Sequence, residues 1–290
     1  MLLIGESLNV ISTKIGRAFK ERDPKPLQEE ALFQREKGMD YIDINLGPAK
    51  KDGHELMPWI VQTVQEVVSD LPLALDTSNI DAIEAALKVY KETPQPPLVN
   101  SIMVRPERYE KMVPLAAEYG VVVAMENRDP HPWEIATLLR SGRSPDHLLT
   151  FHSGLSIPHL VRQVNEVNHP NLGLTLDLGH LILAANVCGF DYLEAIRQAA
   201  PHVRHIHGHD NFGRLGSVFD DLHARIPYGD GDLHLPIGWG TIPHLESLVQ
   251  LVGYEGLYVL EIRPRFREHF AEALQTTQSL INQVQDRIGS

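Results

Sequence analysis

The chain is poor in the features that mark several protein classes. Its 290 residues include one cysteine, Cys188. No internal disulfide can form, and no cysteine cluster can hold structural zinc or an iron–sulfur centre. Cys188 is expected as a small, buried core residue. Apolar runs are short, and none approaches the ~18–20 residues of a membrane-spanning helix. The opening MLLIGESLN lacks the basic region and cleavage site of a signal peptide. These absences predict a soluble, cytoplasmic protein with no membrane partner. Positive charge is also scarce: 26 Lys and Arg stand against 38 Asp and Glu, for a formal net charge of −12. With no long Lys/Arg run, a phosphate backbone would be repelled, and no nucleic-acid partner is expected. No Gly-rich dinucleotide fingerprint or P-loop follows the first apolar run, and no low-complexity linker divides the chain.

What is there is alternation. Short apolar runs, LLIGE (2–6), YIDIN (41–45), LALDTS (73–78), PLVNSI (97–102), VVVAME (121–126), LGLTLD (172–177), VRHIH (203–207) and LYVLE (257–261), predict eight strands. Between and after them, helical patterns cover 26–38, 55–69, 80–91, 106–119, 156–167, 191–199, 242–252 and 266–287. Eight strands, each followed by helical material, predict an α/β protein: a single (β/α)8 TIM barrel, one domain over residues 1–290. The stretch 210–240 is too long and Gly-rich for an ordinary connection and predicts an ordered active-site lid.

In such a barrel all strands deliver their last residues to one mouth, where the active site is built. Strands five to eight end in Glu126, Asp177, His207 and Glu261. Three carboxylates and an imidazole crowded together need a positive charge among them, and a divalent cation supplies it. One His among oxygen ligands suits Mn²⁺, Mg²⁺ or Co²⁺, with Zn²⁺ admitted if further histidines join. His180, Asp232 and His234 are the candidate additions. Asp221 and His223 form a similar Asp-x-His pair but lack the Gly-x-Gly turn that follows Asp232 and His234.

MEN (125–127), LDLGH (176–180), HIHGHDN (205–211), DLHLPIGWGTI (232–242) and VLE (259–261), taken in order, resemble the signatures of the xylose isomerase-like barrels. That superfamily includes sugar isomerases, epimerases and metal-dependent apurinic endonucleases. The resemblance covers residues 121–290 and implies one catalytic metal held by Glu126, Asp177, His207 and Glu261. It also implies that Glu126 and Glu261 exchange protons with the substrate and that His180 holds a hydroxyl. Asp232 and His234 match the pair that serves further metals in the endonuclease branch. That branch also takes histidines from its first strands, where this chain has Glu6, Asn45, Asp76 and Asn100, which argues against a three-metal site.

The first 120 residues are similar to a different family. LLIGESLN, DYIDINLGP, LALDTSN and PLVNSI resemble the pterin-binding methyltetrahydrofolate:corrinoid methyltransferases. A pterin edge of N–H donors beside a carbonyl pairs with a carboxylate next to a carboxamide. By that resemblance Asp76 and Asn100 would bind tetrahydrofolate, with Asn45 lining the mouth. The chain therefore reads as two half-barrels changing character near residue 120. The leading expectation is a metal-dependent isomerase or epimerase of a small polyhydroxylated carbonyl compound, in which a carboxylate removes the α-proton. The alternatives are a pterin-binding methyltransferase-like protein, or a natural or engineered hybrid without catalytic activity.

Overall fold

The computed structural model describes residues 2–47, 51–100, 106–215 and 226–288. Asp221, His223 and the last two residues of the expected fourth strand fall outside them, as does the side chain of Asn100. Eight strands form one parallel barrel: β1 (Leu2–Asn9), β2 (Tyr41–Asn45), β3 (Leu73–Asp76), β4 (Leu98–Asn100), β5 (Val122–Glu126), β6 (Leu172–Asp177), β7 (Val203–Gly208) and β8 (Leu257–Leu260). Each pairs with its neighbour in sequence, and β8 closes on β1 through Leu2↔Leu257 to Gly5↔Leu260.

The alternation of side chains along each strand sorts residues into two environments. Outward-facing Ile42, Ile44, Leu73, Leu75, Val99, Val123, Met125, Leu176 and Ile206 pack beneath the helices. Inward-facing Ile4, Tyr41, Ala74, Leu98, Leu257 and Val259 form an apolar plug. One or two inward positions further along the same strands stand Asp43, Asn45, Asp76 and Glu261, so the barrel passes from a dry floor to a polar mouth. Because both faces are covered, the strands read as continuous apolar runs rather than as an alternating pattern.

The surrounding helices are α1 (Thr13–Glu21), α2 (Pro24–Glu36), α3 (Gly53–Gln65), α4 (Ile80–Val89), α5 (Pro106–Tyr119), α6 (Pro132–Arg140), α7 (Leu148–Phe151), α8 (Ile157–Val167), α9 (Leu178–Cys188), α10 (Tyr192–Ala199), α11 (His244–Val249) and α12 (Phe270–Ile288). Local chemistry sets their ends. Asp23 caps α2 by accepting from Lys25 N, ahead of a proline in the first turn. Asn79 caps α4, and Asp177 caps α9 by accepting from His180 N at 2.7 Å. α9 stops at Gly189, whose φ of +75° takes the left-handed conformation that closes many helices. Cys188, in its last turn, is buried and free.

Two details depart from the sequence pattern. β1 continues to Asn9, with its register to β2 shifting between Gly5 and Leu8, so Glu6 lies beside an irregularity rather than at a strand end. α1, α6 and α7 are additional to the expected helices; α7 spans only four residues and α1 contains Gly16. No helix among the described residues is long and apolar enough to cross a membrane.

Register carries both halves to one rim. Asn45 pairs with Asp76, and Asp76 with Asn100, while across the barrel Asp177 pairs with His207. The change of character falls at β4 and β5, where Leu98↔Val122 and Val99↔Val123 meet through apolar side chains. Beyond β5, Asn127 is 2% exposed and clamps the end of β6. Its Nδ2 donates to Asp177 O at 2.9 Å, and its Oδ1 accepts from Asp177 N at 2.8 Å. Asn127→Ala should therefore strand two buried backbone groups and cost about 2–4 kcal/mol of unfolding free energy, measured by equilibrium denaturation. A loss under about 0.5 kcal/mol would show that the clamp is redundant.

Candidate active site

At the mouth, His207 Nδ1 stands 3.0 Å from Glu126 Oε1, 3.2 Å from Glu261 Oε1 and 3.7 Å from Asp177 Oδ2. Three carboxylates thus converge on one imidazole nitrogen, from the ends of β5, β6 and β8. His207 is 2% exposed and Asp177 fully buried, so water does little to screen them. Burial disfavours charge on His207, but Glu261 and Glu126 outweigh it and hold its pKa well above the usual value. Burial likewise opposes ionisation of Asp177, yet His180 and His209 hold its pKa well below the ordinary carboxylate range.

A second group adjoins the first. His180, His209, Asp232 and His234 each offer a ligand atom within 4.8 Å of the others. The ring orientations are fixed from behind: His180 Nδ1 lies 3.0 Å from Asn127 O, and His234 Nδ1 lies 2.8 Å from Glu261 O. A carbonyl can only accept, so Nδ1 carries the proton in both rings and the neutral tautomer leaves Nε2 as a lone pair. Those Nε2 atoms face Asp232 Oδ2 at 3.7 and 2.6 Å. A lone pair facing a carboxylate is repulsive, so either the rings take a second proton or a cation stands between. Without an ion Asp232 drives protonation: against the effect of burial, it raises the His234 pKa to about 9. Asp232 Oδ1 is buried and accepts no hydrogen bond. The donor set therefore fits a divalent ion in both groups.

The chain holds this geometry with further polar contacts. Arg263 donates from Nε to Leu233 O at 3.0 Å and from Nη2 to Asp232 O at 3.1 Å, stapling the DLH segment to the end of β8. His234 adopts φ +47°, a left-handed conformation uncommon for a non-glycine residue and often found where function requires it. Asp210 accepts from Gly238 N and Ile242 N and braces the PIGWG turn. Gly179 lets the His209 ring approach; a methyl there would collide with the ring.

The first half contributes an acidic wall. Asn45 Nδ2 donates to Asp76 Oδ2 at 2.7 Å and to Glu6 Oε1 at 3.2 Å, while Asn45 Oδ1 accepts from Gly47 N. A carboxylate and a carboxamide stand side by side at Asp76 and Asn45, whereas the side chain of Asn100, the partner expected for Asp76, lies outside the described residues. Burial, then Glu6 and Glu126, push the Asp76 pKa well above the ordinary range. Burial and Glu261 push Glu6 up to about 8. A cleft of about 190 Å³ joins this wall to the second half, lined among others by Glu6, Asn9, Asn45, His234 and Glu261.

All the second-half candidates named from sequence come together at this mouth, and Asn45 and Asp76 face it from the first half. Two residues at the mouth were not singled out in the sequence: Asp43 and His209. For His209 a signal existed, since HIHGH puts residues 205, 207 and 209 on one strand face.

A carboxyl whose folded pKa is raised contributes stability below its unfolded pKa and loses it as pH rises through the folded value. Metal-free protein should therefore lose stability from about pH 4.5 toward pH 8 as Glu6 ionises. Glu6→Gln should flatten that decline and melt a few degrees above wild type at pH 8, read by calorimetry. Parallel pH profiles would remove Glu6 from the explanation.

Comparison with known proteins reflects the two halves. The pterin binding enzyme family matches residues 5–143, and the xylose isomerase-like TIM barrel family matches residues 94–280. A methylcorrinoid:tetrahydrofolate methyltransferase of Eubacterium limosum is 29% identical over 138 residues, 48% of this chain and 46% of the relative. An uncharacterized protein of Methanocaldococcus jannaschii is 27% identical over 151 residues, 52% of this chain and 40% of the relative. The chain thus spans less than half the length of either curated relative. Among solved structures, a D-tagatose 3-epimerase-like protein aligns over 99% of this chain and 100% of its own, at 18% identity and a TM-score of 0.55. A xylose isomerase domain protein from Alicyclobacillus acidocaldarius subsp. acidocaldarius aligns over 98% and 99%, at 16% identity and a TM-score of 0.55. At such identities these structures show the fold alone. The family match extends over more than half of the residues: this chain belongs to the xylose isomerase-like TIM barrel family.

Proposed function

We propose that the protein is a divalent-metal-dependent enzyme that moves a proton on a small polyhydroxylated carbonyl compound, as an isomerase or epimerase does. The reading treats residues 1–290 as one domain, with a pterin-binding-like half to about residue 120 and a xylose isomerase-like half after it. Convergence of Glu126, Asp177 and Glu261 on His207 Nδ1, within 3.0–3.7 Å, is the observation that carries it. Glu126, Asp177, His207 and Glu261 would hold the ion, with Asp232 and His234 available to a second one. A bound divalent ion supplies Lewis-acid polarisation of a carbonyl.

The chain's own residues do the rest. Glu126 and Glu261 approach from separate strands, so one can take the proton next to the carbonyl while the other returns a proton, giving an isomer or epimer. Glu261 lines the cleft, where it would meet a bound substrate. Burial opposes ionisation of Glu261, but His207 outweighs it and holds the pKa below the ordinary range, so it starts ionised. Asp177, pinned by Asn127 and His180 N, has little freedom to turn and serves as a fixed anionic ligand. His180, its Nδ1 held by Asn127 O, is left with Nε2 to read a substrate hydroxyl when no second ion occupies the neighbouring group.

A second reading has an observation of its own. Asp76 and Asn45 present a carboxylate beside a carboxamide, within residues that match the pterin-binding family. Tetrahydrofolate would then sit against Asp76, Asn45 and Asn100.

Binding only to the folded state raises Tm by mass action, so chelator-stripped protein should gain several degrees on addition of Mn²⁺ or Zn²⁺ at saturation. Glu261→Gln and His207→Ala should lose most of that gain. An unchanged Tm for wild type would sink the metal reading. For the second reading, titration calorimetry with tetrahydrofolate should show binding that Asp76→Ala weakens by about 1.5–3 kcal/mol. No heat from the wild-type chain would leave the first half as scaffold.

A further inference from the structure

Negative charge in the first half lacks the compensation that four histidines give the second. Glu6, Asp43 and Asp76 each offer a carboxylate oxygen within 4.8 Å of the other two. Asp43 is 3% exposed, and its Oδ2 is sealed from solvent without a hydrogen-bond partner. The other two have neutral amide donors: Asn9 Nδ2 reaches Glu6 Oε1 at 2.6 Å, and Asn45 Nδ2 is divided between Glu6 and Asp76. His207 favours ionisation of all three, but less than burial and the neighbouring acids oppose it. A buried carboxylate with no donor is costly unless it is protonated or meets a cation.

We propose that Glu6, Asp43 and Asp76 form a binding site for a hard divalent cation of the calcium class, separate from the histidine-containing groups. The donor set is all oxygen, which suits a hard ion and offers nothing to a soft one. Oxygens no more than 4.8 Å apart can meet an ion at calcium–oxygen distances of about 2.3–2.6 Å with little movement. Magnesium, with strict octahedral demands and reluctant dehydration, is less readily met by three carboxylates fixed on separate strands. The deep position of Asp43 explains its lack of donors: it is the inner ligand, while Glu6 faces the cleft and leaves room for water to complete the shell. A filled site turns a wall that repels anions into one that accepts oxygen-rich groups. The inference uses first-half residues only and does not depend on the reading of Glu126, Asp177, His207 and Glu261.

The test is calorimetric titration of the full chain with calcium chloride, after loading with zinc and removing the excess so that the histidine-containing groups are filled. One calcium per chain and a raised Tm are expected. Asp43→Asn should weaken calcium binding at least tenfold with zinc content unchanged, and Glu6→Gln does the same work if Asp43→Asn fails to fold. Should zinc not bind, the metal-free chain is titrated and the variants decide, because calcium held by Glu126, Asp177, His207 and Glu261 would be lost in His207→Ala and kept in Asp43→Asn. Absence of calcium binding at millimolar concentration overturns the proposal. Undiminished uptake in both variants overturns it as well, and uptake abolished only by His207→Ala assigns the ion to the other centre.

Discussion

The mouth of this barrel is governed by one constraint: seven carboxylates, Glu6, Asp43, Asp76, Glu126, Asp177, Asp232 and Glu261, share a poorly solvated rim. Parallel strands deliver them to one end, and the apolar plug of Tyr41, Ala74, Leu98 and Val259 closes the other. Each ionised group must find a countercharge or hold a proton. The two halves meet that demand differently. In the second half His180, His207, His209 and His234 depress the pKa of Asp177 and Asp232 despite burial. The first half brings no imidazole to the three acids, and burial drives Glu6, Asp43 and Asp76 upward.

The countercharges work only if they are held in place, which accounts for polar residues with no direct chemistry. Asn127 fixes Asp177 through two backbone bonds and His180 through its own carbonyl. Arg263 spends its guanidinium on backbone carbonyls at Asp232 and Leu233, so a residue that looks like an anion receptor is a fastening for the loop. Asp210 and Asn211, at the end of the HIHGHDN signature, turn away to brace Gly238, Ile242, Gly179 and Gly213. The Asp177–His180 spacing has the same logic: Asp177 caps α9 with one oxygen, and the capped turn brings the His180 ring back over the mouth.

This explains what could be read in advance. The eight strands were legible because strands buried on both faces are apolar runs, and their final residues were legible because chain direction alone assigns them to the rim. Glu126, Asp177, His207 and Glu261 follow from those two facts. Asp43 does not. In YIDIN it sits mid-strand between isoleucines, and only closure of the barrel decides that its face points inward, in register between Tyr41 and Asn45. Glu6 was legible as the end of the first apolar run, although the shift of register after Gly5 carries β1 on to Asn9. His209 lies one residue past β7, yet the alternation of HIHGH runs on through it; the collision that any side chain at Gly179 would make shows how closely its ring is seated.

A barrel with halves of different resemblance must satisfy two conditions, and they involve different atoms. Folding requires only that β4 and β5 pair and that their inward residues continue the plug, which Leu98↔Val122 and Val99↔Val123 achieve with apolar side chains acceptable to any parallel barrel. Function requires that the rim residues of one half tolerate those of the other. Here Asp76 feels Glu126 and Glu261, and Glu6 feels Glu261, all as like charges. The seam is therefore silent in the core and expressed at the mouth, where acids of one half raise the cost of ionising those of the other. A cation bound in either half lowers that cost for both, so the two halves, independent in packing, are coupled through charge.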